Sequence, residues 1–543
     1  MSVIEFTLSE LDAEIERRQT GQTFADQAEE WAKDLHTFLR QAWPVLEPDT
    51  PFVDGWHIRS ICEHLQAVSD GEIRRLMINV PPATSKSTAV SVVWPVYEWA
   101  HRPSRTFITG SYDIDLATDL SVKSRDLIRS WWFQSRWGHI FSMKGDENLK
   151  TRYRNDRRGR RFATSPGGGG TGQHANIIIV DDPHNAKEVA TPNALKAAID
   201  WQDGTLSQRF ADPKTGVEVV IMQRLHENDL CGHLLSKADH AWTVLCLPEE
   251  YEPTHPLVSP ERIVLPSGRT LQGDLRTQPG ELLCPDRIGP VEHANRVGDL
   301  GSFRAAGQLQ QRPTAIEGEI LKRADWQFYP PAWLDDGERH RLPKFTHIGQ
   351  SWDTAFKDKT SSDYVVGQVW GIKGADRYLL RVFRDRMNLT ATKTAMKEAN
   401  AWAVALWPHA AHKILIEKSA NGTDIIAELK RELPGVEPIT ASVDKTQRAI
   451  AASPTLESGN VWIPGAKSWE PSGYDSQLTP ASSAQLVEEA AVFPKGSHDD
   501  SVDAFSQLMN WARSRQVGGR VAMPDLGARV PMAGESERQS YAY

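Results

Sequence analysis

No run of apolar residues in this 543-residue sequence approaches the ~20 that a membrane-spanning helix needs. Met1-Ser-Val-Ile-Glu-Phe6 lacks a basic stretch followed by an apolar core, so no secretory leader is expected. Cysteine is scarce. Cys62, Cys231, Cys246 and Cys284 stand apart without C-x-x-C spacing, which fits reduced thiols in a cytoplasm better than disulfides or a zinc site. Surplus positive charge is also missing: a formal net charge of −9 argues against a general coat for nucleic acid. It leaves room for a local stripe. Lys150 to Arg161 carries seven basic residues against one acidic one, and phosphate contacts require no more than that, although a solvated hairpin with an arginine-rich turn has the same composition. With 40% hydrophobic and 24% charged residues the chain is ordinary for a globular protein, and its length predicts two or three domains.

Glycine is missing where it would be most informative. Leu76 to Thr88 (Leu-Met-Ile-Asn-Val-Pro-Pro-Ala-Thr-Ser-Lys-Ser-Thr) has the form of a buried strand that breaks at two prolines and delivers a lysine and hydroxyls to a helix start. The G-x-x-x-x-G-K-[ST] phosphate loop has this form, but Ser85 stands in place of its second glycine. Backbone N–H groups from Thr84, Ser85 and Thr88 and their neighbours would cradle a phosphate, with Lys86 reaching β/γ-oxygens and Ser87 a Mg²⁺; Pro82 contributes only its place in the turn. About a hundred residues on, Ala175 to Asp182 (Ala-Asn-Ile-Ile-Ile-Val-Asp-Asp) is too apolar for an exposed strand and ends in two carboxylates. In a parallel sheet both strands would bring their chemistry to one edge. Asp181 would hold the Mg²⁺ and Asp182 would orient or deprotonate a water, which makes the pair an ATPase signature.

Around these motifs the pattern is helical from residue 1 to about 45, with Leu8, Leu11, Ile15, Trp31, Leu35, Phe38 and Leu39 at helical spacings. Phe52, Trp56, His57 and His64 lie just upstream of the loop and include candidates for stacking on adenine. Arg125, on a predicted helix over 115–130, is a candidate for neutralising transition-state charge. Ser165 to Gly172 has five glycines in six positions and cannot hold a regular element. Val217 to Leu230 is a further buried strand ending in Gln223, Arg224 and His226, side chains placed to face a γ-phosphate and couple it to movement. From about Leu247 to Val297 no periodicity is evident and a small lid is expected; Ser302 to Pro313 is a short predicted helix and Gly318 to Pro331 a connector.

A second chemistry begins at Phe345. Thr346 to Asp353 is a strand ending in an acid, Tyr364 to Gly371 and Tyr378 to Phe383 continue a meander, a helix spans 391–406, and His412 to Glu417 is a buried strand ending in a carboxylate. His498-Asp-Asp-Ser-Val-Asp503 opens the last helix. Asp353, Glu417 and Asp500, with Asp499 and Asp503 as alternates, are hard oxygen ligands in the order of an RNase H-like nuclease, and suit two Mg²⁺ or Mn²⁺ ions.

Taken in order, Pro-Pro-Ala-Thr-Ser-Lys-Ser-Thr, Ile-Ile-Ile-Val-Asp-Asp-Pro, Met-Gln-Arg-Leu-His-Glu-Asn-Asp-Leu, Gln-Gln-Arg-Pro, Ser-Trp-Asp-Thr-Ala-Phe, Ile-Glu-Lys-Ser-Ala-Asn-Gly and His-Asp-Asp-Ser-Val-Asp-Ala resemble the large terminase subunit of tailed bacteriophages over about residues 50–515. The resemblance implies an α/β chain: an ASCE-type P-loop ATPase domain with a small lid, joined to an RNase H-like nuclease domain. It implies ATP with Mg²⁺ bound through Lys86, Ser87, Asp181, Gln223 and Arg224, catalysis by Asp182, and nuclease metals on Asp353, Glu417 and Asp500. Its implied partners are double-stranded DNA, a portal protein, a small terminase subunit and further copies in a ring, with no membrane, in the host cytoplasm and transiently on the procapsid portal, outside the mature virion. Two departures stand out. Relatives often carry an arginine inside the loop where this chain has Ala83 and Thr84, and many have glutamate where Asp182 stands. The expected organisation is an arm (1–45), an ATPase domain (46–246), a lid (247–300), a linker (301–340), a nuclease domain (341–515) and a flexible tail (516–543). A helicase-nuclease without a packaging role is the alternative enzyme, and a silent DNA-binding scaffold the alternative of another class.

Overall fold

The computed structural model describes residues 21, 23–168, 172–186, 188, 192–237, 242–313, 320–353, 364–418, 422–440, 443–469, 472–496 and 498–515. They form two compact units, one running to Ile320 and including Val443–Pro454, the other comprising Leu321–Ser442 and the chain from Thr455.

The first unit is built on an eight-stranded sheet: β1 (Arg75–Asn79), β2 (Thr106–Gly110), β3 (Met143–Asn148), β4 (Arg152–Asn155), β5 (Arg160–Thr164), β6 (Ile177–Asp181), β7 (Val217–Met222) and β8 (Thr243–Cys246), in the order β3-β4-β5-β2-β6-β7-β1-β8. From β5 to β8 every pairing is parallel. The continuous apolar run of β6 follows from this: Ile177 and Ile179 enter one core while Ile178 and Val180 enter another on the opposite face. One strand, β7, intervenes between β1 and β6, the ASCE-type arrangement expected from the sequence.

The helical residues after Thr23 pack on this unit. Thr23 caps the helix Phe24–Trp31 through a reciprocal bond with Asp26, and Trp31, Leu35, Phe38, Leu39 and Trp43 share one core with Val92, Trp94 and Trp132. Residues 1–20, with Leu8, Leu11 and Ile15, lie outside the described residues, as do Gly169 to Thr171 of the glycine-rich stretch. The basic stripe is a hairpin, β4 against β5, and its charges are divided. Arg161 is buried with its Nη2 donating to the Ser91 carbonyl at 2.6 Å, Arg154 pairs with Glu147 at 3.1 Å, and Arg157 and Arg158 are exposed at the turn.

The aperiodic segment after Leu247 is organised by polar contacts, which leave no periodic trace in a sequence. Buried Arg276 pairs with Asp274 at 2.7 Å and donates to the carbonyls of Pro248, Glu249 and Glu281. The ribbon of β9 (Arg262–Val264) and β10 (Thr270–Gln272) is tied to the helix Trp56–Ser69 through Ser60 and Glu63. The helix expected from Ser302 starts earlier, spanning Pro290–Gln308, and is broken at Gly301, whose φ of 73° is outside the helical range.

In the second unit β11 (Gln327–Tyr329), β12 (His347–Asp353), β13 (Val365–Lys373), β14 (Asp376–Asp385), β15 (Ala411–Glu417), β16 (Val436–Ile439) and β17 (Val461–Pro464) form one sheet in the order β11-β17-β14-β13-β12-β15-β16. β12, β13 and β14 are an antiparallel meander, and β15 joins β12 in parallel. The expected connector contains β11, which pairs with β17 far along the chain; such pairing is non-local and three residues are too short to show a period. Gly367 gives up its side-chain space to the Trp352 ring, and Gly349 makes room for Leu508 of the helix Asp500–Ser514.

Two buried histidines of the first unit, His57 and His64, are pushed down to about 4 from 6.5, chiefly by burial. Between those values the unfolded chain binds more protons, so their contribution is complete above pH 6.5 and is lost as pH falls toward 4, at up to about 1.4 kcal/mol per pH unit for each. Asp181, pushed up from 3.8 to about 6 chiefly by burial and then by Asp182, has the opposite sign over that lower window and offsets one of them. Stability of the full chain in urea is expected to fall between pH 7 and 5, with a shallower fall in His64→Gln; a flat profile shared by both proteins would mean that the histidines are charged in the fold.

Candidate functional sites

β1 ends at Asn79, and the chain turns through Ala83 and Ser85 with φ of 65° and 61°. These are left-handed conformations without glycine, costing roughly 1–3 kcal/mol each. The turn is held from beneath: the Thr84 hydroxyl donates to the Pro81 carbonyl at 2.8 Å, and buried His57 bonds the Thr84 backbone. The chain then enters a π-helical turn, Thr88–Val93. Lys86, almost wholly buried, places its Nζ 2.8 Å from Asp182 Oδ1. The Ser87 hydroxyl donates to Asp181 Oδ1 at 3.0 Å, and the Ser91 hydroxyl to Asp181 Oδ2 at 2.6 Å. Burial and the neighbouring Asp182 raise Asp181, while Lys86 and the two hydroxyls draw it back. A divalent cation at Ser87 and Asp181 fits this chemistry, because it favours the ionised form that burial disfavours.

Pro82, Ser85, Lys86, Ser87, Thr88 and Asp182 line one cleft of about 380 Å³, together with Trp43, Glu47, Thr50 and Arg287. Thr84 turns away from it, and Asp181 lies buried behind Ser87. Gln223 reaches the site through its backbone, its N–H donating to Asp182 Oδ1 at 3.2 Å. Arg224 does not line the cleft. Its guanidinium is buried against Asp229, with Nε 2.9 Å from each carboxylate oxygen, and its backbone N–H donates to Gln311 Oε1 at 2.9 Å. Arg125 is likewise not among the cleft residues. Its side chain is 12% exposed on the helix Ile114–Arg129, with the Asp126 carboxylate 3.6 Å from its Nε.

Sequence reasoning missed the lid arginines. Arg287 Nη1 donates to Ser85 Oγ at 3.3 Å and Arg296 Nη2 to the Pro82 carbonyl at 3.3 Å. It also missed Ser91, one helical turn after Ser87, whose spacing was the available signal.

In the second unit, Asp353 and Glu417 end parallel neighbours: Trp352 is in register with Ile416, so the next residue on each strand is an acid at the same sheet edge. Asp499 and Asp500 stand at the start of the helix Asp500–Ser514, and Asp503 is buried one turn on. That helix is fixed on the meander by Gln507 Nε2 to Ser351 Oγ at 3.1 Å and by Gln368 Nε2 to the Ser501 carbonyl at 2.8 Å. Arg384, paired with Glu489, donates to Ser501 Oγ at 2.9 Å and was not singled out from the sequence. Among the described residues, however, no three His, Cys, Asp or Glu side chains are grouped closely enough to hold a metal ion, and residues 354–363, which follow Asp353, lie outside them. The acids are on the expected elements without forming a ready-made metal set.

A P-loop type sheet and an RNase H-like sheet in one chain define the class. Residues 350–511 match the family model described as the terminase RNaseH-like domain. The C-terminal domain belongs to that terminase family, the one whose large subunits the sequence motifs resemble. Among solved structures, the large terminase from a thermophilic bacteriophage aligns over 85% of this chain and 99% of its own at 9% identity and a TM-score of 0.49. The HK97 bacteriophage large terminase aligns over 89% and 99% at 10% identity and 0.32, and the large terminase nuclease from thermophilic phage G20c with bound magnesium over 36% and 98% at 13% and 0.25. No curated protein matches the sequence.

A phosphate bound in this cleft would draw on the same ammonium as Asp182. Asp182→Asn is therefore expected to tighten ADP binding, by about 1 kcal/mol or a factor of about five, since the nearly buried ammonium loses its charged competitor. Titration calorimetry on both proteins checks it, and unchanged or weaker binding would show that the carboxylate does not compete.

Proposed function

We propose that the chain is a large terminase subunit, an ATP-driven motor that moves double-stranded viral DNA into a procapsid through the portal, and an endonuclease that cuts concatemeric DNA at the start and end of packaging. The observation that carries this reading is the convergence of Lys86, Ser87, Asp181 and Asp182 on one cleft, in a chain whose other unit is a terminase RNase H-like domain.

On this reading Lys86 exchanges Asp182 for the β- and γ-phosphate oxygens of ATP, while the N–H groups of the loop receive the remaining charge. Ser87 and Asp181 would hold Mg²⁺, which supplies neutralising charge on the phosphates. Asp182, released from Lys86 and steadied by the Gln223 N–H, orients the attacking water and takes its proton. Gln223 and Arg224 pass the change on, the first to Asp182 and the second to Gln311. In the nuclease domain Asp353 and Glu417, with Asp500 or its neighbours Asp499 and Asp503, would hold two Mg²⁺ or Mn²⁺ ions; oxygen donors suit both. A small terminase subunit, a portal protein and further copies in a ring are the proposed partners, in the host cytoplasm and at the procapsid. Among the described residues no helix is long and apolar enough to cross a membrane.

Purified wild type, Lys86→Ala and Asp353→Ala, scored for ATP turnover and plasmid cleavage with Mg²⁺ or Mn²⁺, test the two sites separately. The expected result is that Lys86→Ala loses turnover by about 10²-fold or more and still cuts, while Asp353→Ala does the reverse. Cleavage by Asp353→Ala at the wild-type level removes the nuclease assignment. Turnover that depends on free DNA ends, with no response to a portal, favours the helicase-nuclease.

A further inference from the structure

We propose that Arg287, in the segment before the helix Pro290–Gln308, is the arginine that contacts the γ-phosphate of ATP within the same subunit. The proposal rests on the ATPase reading above. The phosphate loop carries no arginine of its own, with Ala83 and Thr84 before Ser85. A hydrolysing site gathers more negative charge in its transition state than Lys86 alone can balance.

Three basic side chains besides Lys86 come into question, and their surroundings separate them. Arg125 is partly exposed and does not line the cleft. Arg296 reaches the loop at the Pro82 carbonyl, but its Nη1 lies 2.6 Å from Glu249 Oε2, a buried carboxylate that already neutralises it. Arg287 lines the cleft itself, beside Lys86, Ser87 and Asp182. Among the described residues its guanidinium bonds a neutral hydroxyl there, Ser85 Oγ at 3.3 Å, one residue before Lys86, and no carboxylate. An exposed guanidinium on a hydroxyl can turn to a phosphate without breaking an ion pair, and its planar fork suits two phosphate oxygens.

The base of the side chain is fixed even though its tip is exposed. The N–H groups of Arg287 and Ile288 both donate to the Cys284 carbonyl, at 3.0 and 2.9 Å, and Cys284 and Ile288 are buried on either side. Arg287 is thus presented to the loop from an anchored turn, on a different segment from the strand that carries Asp182. Selectivity follows from its position: contact with a third phosphate is present for ATP and absent for ADP.

Binding of ATPγS and of ADP to wild type and Arg287→Ala by titration calorimetry, with steady-state ATP turnover alongside, tests this. The expected result is about a tenfold loss of ATPγS affinity, ADP affinity within about twofold, and turnover reduced by about 10²-fold or more. Because Arg287 is exposed, the melting temperature of the variant is expected to match wild type. Mixed with Lys86→Ala protein, Arg287→Ala subunits are expected to stay inactive; recovery of turnover on mixing places the arginine in a neighbouring subunit and overturns the assignment. Wild-type ATPγS affinity and turnover in Arg287→Ala overturn it as well. If wild-type protein binds neither nucleotide, or Lys86→Ala binds ATPγS as wild type does, the ATPase reading fails instead.

Discussion

The ion pair between Lys86 and Asp182 spans two strand ends that are not neighbours, since β7 runs between β1 and β6. It can form only because all three strands run parallel and end at one edge of the sheet. What surrounds it is arranged around the same constraint. β7 supplies an N–H to Asp182 from the middle position, Ser87 and Ser91 hold Asp181 behind it, and buried Arg161 steadies the carbonyl of Ser91. Much of the arginine-rich stripe is therefore spoken for. One member supports the site from the interior and another is paired with Glu147, so a smaller set of exposed charges remains at the hairpin turn than the composition implied.

A phosphate loop without glycine must take its shape from its neighbours. Ala83 and Ser85 adopt the conformations that glycine would enter freely, and nothing in their own chemistry favours this. The compensation comes from three directions: the Thr84–Pro81 bond within the loop, His57 from the preceding helix, and Arg296 on the Pro82 carbonyl. His57 lies beneath the loop and is kept neutral by burial, with the charges of Arg276 and Arg287 adding to the effect.

The parts of the fold legible in the sequence are those with a local periodic cause. β6 was visible because both its faces are buried, and the meander from His347 to Asp385 because each of its strands is long. The lid was not legible, because Arg276 organises it through carbonyls distant in the chain. β11 was missed because its partner is more than a hundred residues away. At the site, residues that act through a motif position, such as Lys86, Ser87 and Asp182, could be named in advance. Arg287 could not, since nothing in Pro-Asp-Arg-Ile-Gly marks a side chain that folds back on residue 85. Arg224 shows the converse: its place at a strand end is as expected, but Asp229, five residues on, draws the side chain inward.

The N–H groups of Gln223 and Arg224 belong to consecutive peptide units that meet at the Gln223 α-carbon, and they point at different things, one at Asp182 and the other at the side chain of Gln311. Each peptide plane is stiff, so the φ and ψ of Gln223 alone set the direction of one amide against the other. The connection from the carboxylate to residue 311 is therefore carried by main chain that every amino acid but proline provides. Side chains at 223 and 224 can drift in evolution without cutting it, and an alignment that scores residue identity has no column in which this linkage would appear.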